Sequence, residues 1–553
     1  MDNNVINNNQ IPQNNNIVTP PGAYYIPYTP PPKKEYTPLS KKENRFIFIA
    51  LAGLLLFIDF AVFHGFSLGF TISFALVFAI TSAFIYKKDA KHKAFSFICG
   101  AFSLVLSIGN TLYNNPFLKF ASVLVVGFLF AIYCLGISGG IDRLSGSYKM
   151  LIELFLKTAI TPLDKLGEVF GSIKAGAKAN KKGLGVLLGI GLSLPVLAVV
   201  IPLLVSGDAA FEGLVFKVLE NIGIYLVEIA IAIVALPFFY SYLFSRKRCS
   251  IEEKAKKKSD YKRFPFAVSA SFLSMISITY LVYLFSQLAY FFSAFKGILP
   301  DGYTHTASAF ARRGFYEMCA ICFINIALIS IVSILCERKN KKLPAFMKAL
   351  SLFISMFSVL LVVIAIQKMR LNIATYGLSV NRLLVCAFML MMLVVIAFFI
   401  LHIFAPKVNY MQPIIIICAV IFIALTFADI DRIAADYNIN AYTSGKLEML
   451  DVEAIADMSD SAVPYLISLT QSKDEKIAEE AKYQLFDRIY YQYELYDDSK
   501  QEDFFRNKGF DFRVYNKSEY AANKAEKKFY NSLSGAEKEE LINGTWDYEE
   551  DKE

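Results

Sequence analysis

Charge is what this chain has least of. Of its 553 residues, 19% are Asp, Glu, Lys or Arg and 55% are hydrophobic, where a soluble globular chain carries about a quarter charged residues. That balance excludes an ordinary soluble protein and points to many membrane crossings. Histidine occurs only four times, as His64, His92, His305 and His402, with neither HExxH nor any paired metal spacing. Cysteine is missing from the last 125 residues, and the eight present lie almost all in apolar runs, so no disulfide framework is expected. Cys319 and Cys322 form a CxxC on an apolar run with no second ligand pair, which fits packing rather than zinc. No Walker loop, dinucleotide fingerprint or GxSxG elbow occurs, and the glycines of GLGVLLGIGLSLP from Gly183 suit close helix approach. The expectation is no metal, no cofactor and no assignable catalytic residue, so a binding role is favoured over an enzyme.

What is there is long and apolar. A span needs about 20 helical residues, and about eleven such runs follow one another: Phe46–Phe66, Ser67–Tyr86, Ala94–Tyr113, Phe117–Ile137, Leu184–Val205, Ile222–Phe244, Pro265–Phe292, Phe315–Cys336, Met347–Gln367, Val380–Phe404 and Met411–Ala428. The fold class is therefore an all-α polytopic membrane protein. Residues 1–45, Asn-rich and then Pro/Tyr-rich, cannot bury a core and read as a disordered tail. They lack the basic region and apolar core of a cleavable signal peptide, so the first span is expected to direct insertion. Placing the N-terminus in the cytoplasm puts about 32 Lys and Arg in inside loops and about 8 in outside loops, as the positive-inside rule requires. Those basic loops need no nucleic acid to explain them.

Two segments differ from the bundle of residues 46–428. Residues 146–183 are amphipathic and lysine-rich, suited either to lie along the inner leaflet or to pack under the bundle. Residues 429–553 hold 29 acidic and 16 basic residues, a net −13 against +21 for the rest. They read as a small, mainly helical extracytoplasmic domain, with an odd span count leaving the C-terminus outside. Within it, MSDSAVPYLISLTQSKDEKIAEEAKYQLFDRI shows two apolar-periodic helices split near Ser472.

Polar groups inside a membrane are costly and therefore candidates for function. Asp59, Asn110, Glu228 and Gln287 fall in the outer halves of their spans, with Arg312, Arg313 and Glu317 at an outer mouth, Asn325 deeper and Arg382 opening another span. Together they could line an outward-facing chamber in which arginines recognise an anionic lipid headgroup or envelope precursor. The competing reading is snorkelling charges and amides that bond neighbouring helices.

Six stretches carry a family resemblance in one order: LLVSGDAAF from Leu203, FSQLAYFF from Phe285, ARRGFYEMCAICFINIAL from Ala311, MRLNIATYGLSVNRL from Met369, ADYNINAYTSGKLEML from Ala435 and DFRVYNKSEYAANKA from Asp511. They resemble domain-of-unknown-function family 4173 and its relative 4153, polytopic bacterial membrane proteins. The resemblance implies a bacterial cell membrane and no particular activity. It singles out Arg312, Arg313 and Glu317 in one motif, Gln287 and Tyr290 in another, Arg370 and Tyr376 in a third, with Arg382 and Asp208 in matching words. The expected function is an envelope-associated binding, assembly or sensing protein, with a protein partner for the C-terminal domain. The alternative is a transporter or lipid-handling permease using Asp59 and Glu228, and an envelope transferase ranks below both.

Overall fold

A computed structural model describes residues 39–88, 93–139, 149–177, 200, 209–248, 264–296, 315–336, 343–405, 408–495 and 511–546. Their regular structure is helical, and no strand longer than the isolated bridge Phe264–Cys336 occurs among them.

The bundle opens with α1 (Lys41–Phe57), started by a capping box in which Ser40 and Glu43 satisfy each other's amides. A π-helical segment, Ile58–Phe63, closes this span. Then come α2 (Leu68–Ile85), α3 (Lys93–Leu112) and α4 (Pro116–Ile137). Two amphipathic pieces, α5 (Lys149–Phe155) and α6 (Thr161–Ala177), flank a π segment, Leu156–Ile160. The remaining bundle helices are α7 (Ala209–Arg248), α8 (Phe266–Lys296), α9 (Phe315–Leu335), α10 (Ala345–Tyr376), α11 (Val380–Phe404) and α12 (Met411–Phe427).

Eight described helices are long and apolar enough to cross a membrane, or nine if α12 and the helix after it count as one bent span. The apolar part of α9 is shorter, Glu317–Val332, and the expected span Leu184–Val205 lies outside the described residues. Several helices outrun their expected spans. α7 has 40 residues and α10 has 32, where about 20 suffice to cross hydrocarbon. Phe48, Phe120, Val282 and Phe323 are each more than 60% exposed, a sheath of apolar side chains that hydrocarbon accommodates and water does not.

Close packing rests on small residues. A Cβ on Gly109 of α3 would lie 2.6 Å from Thr426 Cγ2 of α12, and one on Gly100 would lie 2.7 Å from the Tyr133 ring of α4, so these glycines let the helices touch. The buried hydroxyls Ser351, Ser355 and Ser358 line one face of α10, and Ser355 and Ser358 donate back to carbonyls four residues earlier. The amphipathic segment packs on the bundle: Ser241 Oγ of α7 donates to Pro162 O at 2.6 Å, and Arg246 Nη2 to Lys157 O at 3.3 Å.

At Asp429, whose φ is +48°, the chain bends by 62° out of α12. Aspartate is among the few residues that tolerate this left-handed conformation. The helices that follow form a cap over one end of the bundle: α13 (Ile430–Thr443), α14 (Val452–Ala456), a 3₁₀ turn (Asp460–Ala462), α15 (Val463–Leu469), α16 (Glu475–Gln492), α17 (Lys517–Ser532) and α18 (Gly535–Asn543). The break expected near Ser472 falls between α15 and α16. The cap has its own apolar clusters, one around Val452, Leu466 and Leu485 and another around Phe486, Ile489 and Leu541. The start of α1 lies at the opposite end, where Glu43 pairs with Arg248 at 3.0 Å.

α18 is fastened by its own capping box, Ser534 with Glu537, and by Lys482 of α16, whose Nζ lies 2.7 Å from Glu537 Oε1. Lys482 first and then Ser534 hold the Glu537 carboxyl well below its ordinary 4.5, at about 2. The folded value is below the unfolded one, so the stability it contributes is complete above about pH 4.5 and is lost as pH falls through about 2. Acid titration followed by the single tryptophan, Trp546, which packs on Phe486 and Tyr490, should show cap destabilisation in that window. The Glu537→Gln variant should flatten that branch of the curve.

Candidate functional site at the junction of bundle and cap

A helix end leaves backbone groups without partners, and this molecule satisfies several of them across the junction. Asn115, just before Pro116, accepts from Leu118 N at 3.0 Å to start α4, while its Nδ2 reaches the Asp431 carboxylate at 3.0 Å. Asn516 does the converse from the cap. Its Oδ1 accepts from Ser518 N and Glu519 N at the start of α17, and its Nδ2 donates to the carbonyls of Asn110 and Tyr113 at the end of α3. Asn438 of α13 accepts from Leu378 N at 2.6 Å and donates to Leu378 O at 2.8 Å. Gly377 makes that approach feasible: its φ is +76°, and a Cβ there would lie 2.5 Å from Asn438 Oδ1.

Residues 511–516 form a second fastening. Leu68 N donates to Tyr515 O at 3.1 Å and Gly69 N to Arg513 O at 3.0 Å, so the segment's carbonyls cap the first turn of α2. A Cβ on Gly69 would meet Arg513 O at 2.7 Å. Arg513 is held by Asp511 at 2.9 Å and reaches Asp59 of the π segment at 3.2 Å. His64 Nδ1 sits 3.1 Å from the same Asp59 carboxylate.

Behind the junction lies a buried ion cluster. Arg488 of α16 pairs with Asp460 and with Glu526, whose side chain is fully buried. Tyr493 Oη donates to Glu526 Oε2 at 3.1 Å; burial, then the Glu526 charge, pushes this phenol upward and keeps it a donor. Asp460 also accepts from Asn114 of the bundle at 2.6 Å.

These contacts frame an open cavity of about 510 Å³. The end of α3 contributes Leu112 and Tyr113, the bend Asp429, and the cap Arg432, Ser461, Tyr465, Ser468 and Lys517 among others. Arg432 Nε donates to Tyr465 Oη at 3.3 Å, and Asp429 and Asp436 also act on this guanidinium. Asp429 and Ser461 face each other on the inner wall; burial raises the Asp429 carboxyl above its ordinary range, against the Ser461 hydroxyl and the Arg432 amide, which act to lower it. The arrangement suits a ligand with an anionic group for Arg432 and Lys517.

None of the described residues expected from sequence lines this cavity. Arg312, Arg313 and Asp208 lie outside the described residues. Gln287 and Tyr290 belong to the last turns of α8, and Arg370 and Tyr376 to those of α10. Arg382 is already committed, its Nη1 donating to the carbonyls of Tyr376 and Gly377, so it closes the α10–α11 turn. Glu317 is exposed at the start of α9 and acts electrostatically on Lys368 of α10. Asn325 receives the Tyr280 hydroxyl at 2.6 Å and donates to Ser358 at 2.9 Å, the helix-bonding role. Glu228 of α7 lies within electrostatic reach of Asp59 and of Arg513 from the cap. Cys319 and Cys322 line a small apolar void of about 10 Å³, and no metal-binding cluster occurs among the described residues.

Residues 74–469, more than two thirds of the chain, match the family described as Domain of unknown function (DUF4153). The chain belongs to this family. Of the two related families that the sequence resembles, 4173 and 4153, the match is to 4153. In this DUF4153 protein the match runs from inside α2 to the end of α15, so Asp59 and the 511–516 fastening lie beyond it. No curated protein and no solved structure matches the chain.

Sequence reasoning missed Asn115, Asn516 and Asn438, although Asn-Pro before α4 and Asn-Lys-Ser-Glu before α17 are readable helix starts. Arg488 is the keystone of the ion cluster. Replacing it with Met strands two buried carboxylates and should cost about 3–5 kcal/mol, measured by urea denaturation with Trp546 fluorescence. Adding Glu526→Leu should recover part of that loss.

Proposed function

We propose that this protein is a bacterial cell-envelope binding and assembly protein, anchored by its bundle and carrying its ligand site at the junction with the cap. The cavity of about 510 Å³ between helix ends and cap carries the reading. It opens at the level of the bundle's ends, where lipid headgroups lie, and presents Arg432 and Lys517 within an otherwise acidic cap. The ligand is an anionic phosphate headgroup, of a lipid or an envelope precursor. The N-terminus is cytoplasmic and the cap extracytoplasmic. Lys41, Lys42, Arg45 and the Arg246–Arg248 run gather at the end opposite the cap, which supports that orientation. In this reading α9 and the run Leu184–Val205 complete eleven crossings.

Orientation is checked by thiol labelling: Met449 is 83% exposed on the cap. A Met449→Cys variant should react with a membrane-impermeant maleimide in intact cells, and labelling only after permeabilisation would reverse the orientation. For the site, protein in zwitterionic nanodiscs is titrated with short-chain phosphatidylglycerol. The Arg432→Ser/Lys517→Ser pair should weaken saturable binding at least about tenfold, equivalent to about 1.4 kcal/mol. Equal affinity in the variant would remove the cavity from the ligand's path.

A further inference from the structure

A proline inside a helix withholds one amide hydrogen, and the carbonyl that would have received it must find another donor. In the element α5–α6 that proline is Pro162. The amide of Thr161 reaches back five residues to Leu156 O, so the next acceptor in this π register is Lys157 O, for which Pro162 brings no N–H. Arg246 of α7, only 2% exposed, fills the gap: its Nη2 donates to Lys157 O at 3.3 Å, while Ser241 Oγ donates to Pro162 O at 2.6 Å. These bonds fix which way the element is turned. Met150, Leu154 and Val169 are buried on the bundle side, Val169 in one apolar cluster with Tyr240 and Phe244 of α7. Another side is left bare. Leu151, Phe155, Ile160, Leu163 and Phe170 are 38–64% exposed. They form one stripe, because the π turn absorbs the fifth residue between Phe155 and Ile160. Charge lies off the stripe, where Lys157 is 3.7 Å from Glu153 and Lys165 is 2.6 Å from Glu168.

We propose that this stripe is a lipid contact: α5–α6 lies on the membrane leaflet away from the cap, with one side fastened to α7 and the other seated among acyl chains just below the headgroups. The element stands at that end of the bundle, where Arg248, two residues beyond Arg246, pairs with Glu43. Its bare stripe continues the apolar sheath of the helix it packs on, since Ile233, Val234 and Phe238 of α7 are 48–68% exposed. Hydrocarbon accommodates such a surface and water does not, and amphipathic helices settle into the interface to a depth of about 5–10 Å. At that depth the stems of Lys157 and Lys165 run along apolar surface while their ammonium groups stay among the headgroups. Lys41, Lys42 and Arg45 are exposed at the same end, so a negatively charged leaflet is drawn to this face. The sequence allowed a leaflet helix or a helix packed under the bundle, and the two sides of the element serve one role each. Residues 149–177 are then anchored in one leaflet without crossing it.

The test exploits the single tryptophan. In a Trp546→Phe background, Phe155→Trp, Leu163→Trp and Phe170→Trp place the probe on the stripe and Asp164→Trp places it on an exposed position off the stripe. Emission of each full-length variant is read in nanodiscs of phosphatidylcholine and phosphatidylglycerol. Lipids brominated near the top of the acyl chains should remove most of the emission of the three stripe variants and leave Asp164→Trp bright, and iodide in the water should do the reverse. The absence of any contrast between the stripe and Asp164→Trp, with either quencher, would overturn the proposal. So would stripe positions shielded from both quenchers, which would put a second copy of the chain or another protein on this face.

Discussion

The carboxamide is the group on which this architecture depends. It offers a donor and an acceptor on one short, neutral side chain, so it can close a helix start with its oxygen and reach another element with its nitrogen. Asn115 does this from the bundle and Asn516 from the cap, and Asn438 clamps a backbone amide and carbonyl at once. A lysine or glutamate in these places would satisfy one side of the contact and leave a charge at a surface half covered by protein. With neutral amides at these three contacts, ionic groups are grouped apart from them. They collect in the Arg488 cluster behind the junction and in the Asp59 group beside it.

Much of this was legible in the sequence, and what was not has physical causes. Apolar run length gives the helices, since a span needs about 20 such residues, and the split near Ser472 follows from helical periodicity. The length of α7 and α10 was not legible, because helices continue past the hydrocarbon wherever polar turns can be hydrogen-bonded. The partner of a polar residue was the hardest quantity to read. Arg382 looks like a ligand-binding cation, yet one of its guanidinium nitrogens is spent on carbonyls a few residues away. Asn325 behaves as the plainer reading expects. The motif words themselves were good guides to position: MRLNIATYGLSVNRL and ADYNINAYTSGKLEML meet where Asn438 grasps Leu378. They mark a joint between parts of the molecule, and the sequence alone could not tell a joint from a chamber.

The candidate site follows from the same joint. Helix ends that are capped by a neighbour cannot also be capped by water, so the space left between them is bounded by rigid walls. The cavity lies in that space, and the cations on its wall, Arg432 and Lys517, are groups that the fastening does not use. Binding there is therefore separable from folding, which is the condition for a site to vary while the scaffold stays fixed.

The bend at Asp429 has a mechanical meaning. α12 passes directly into the first helix of the cap, with one left-handed residue between them and no slack loop. At about 1.5 Å per residue, its 17 residues make a rigid arm of about 25 Å. A tilt of about 5° imposed at the cap would displace the far end by about 2 Å, roughly the shift seen when packed helices slide between two arrangements. The molecule thus carries a lever whose short handle stands outside the bundle and whose long end reaches the opposite face.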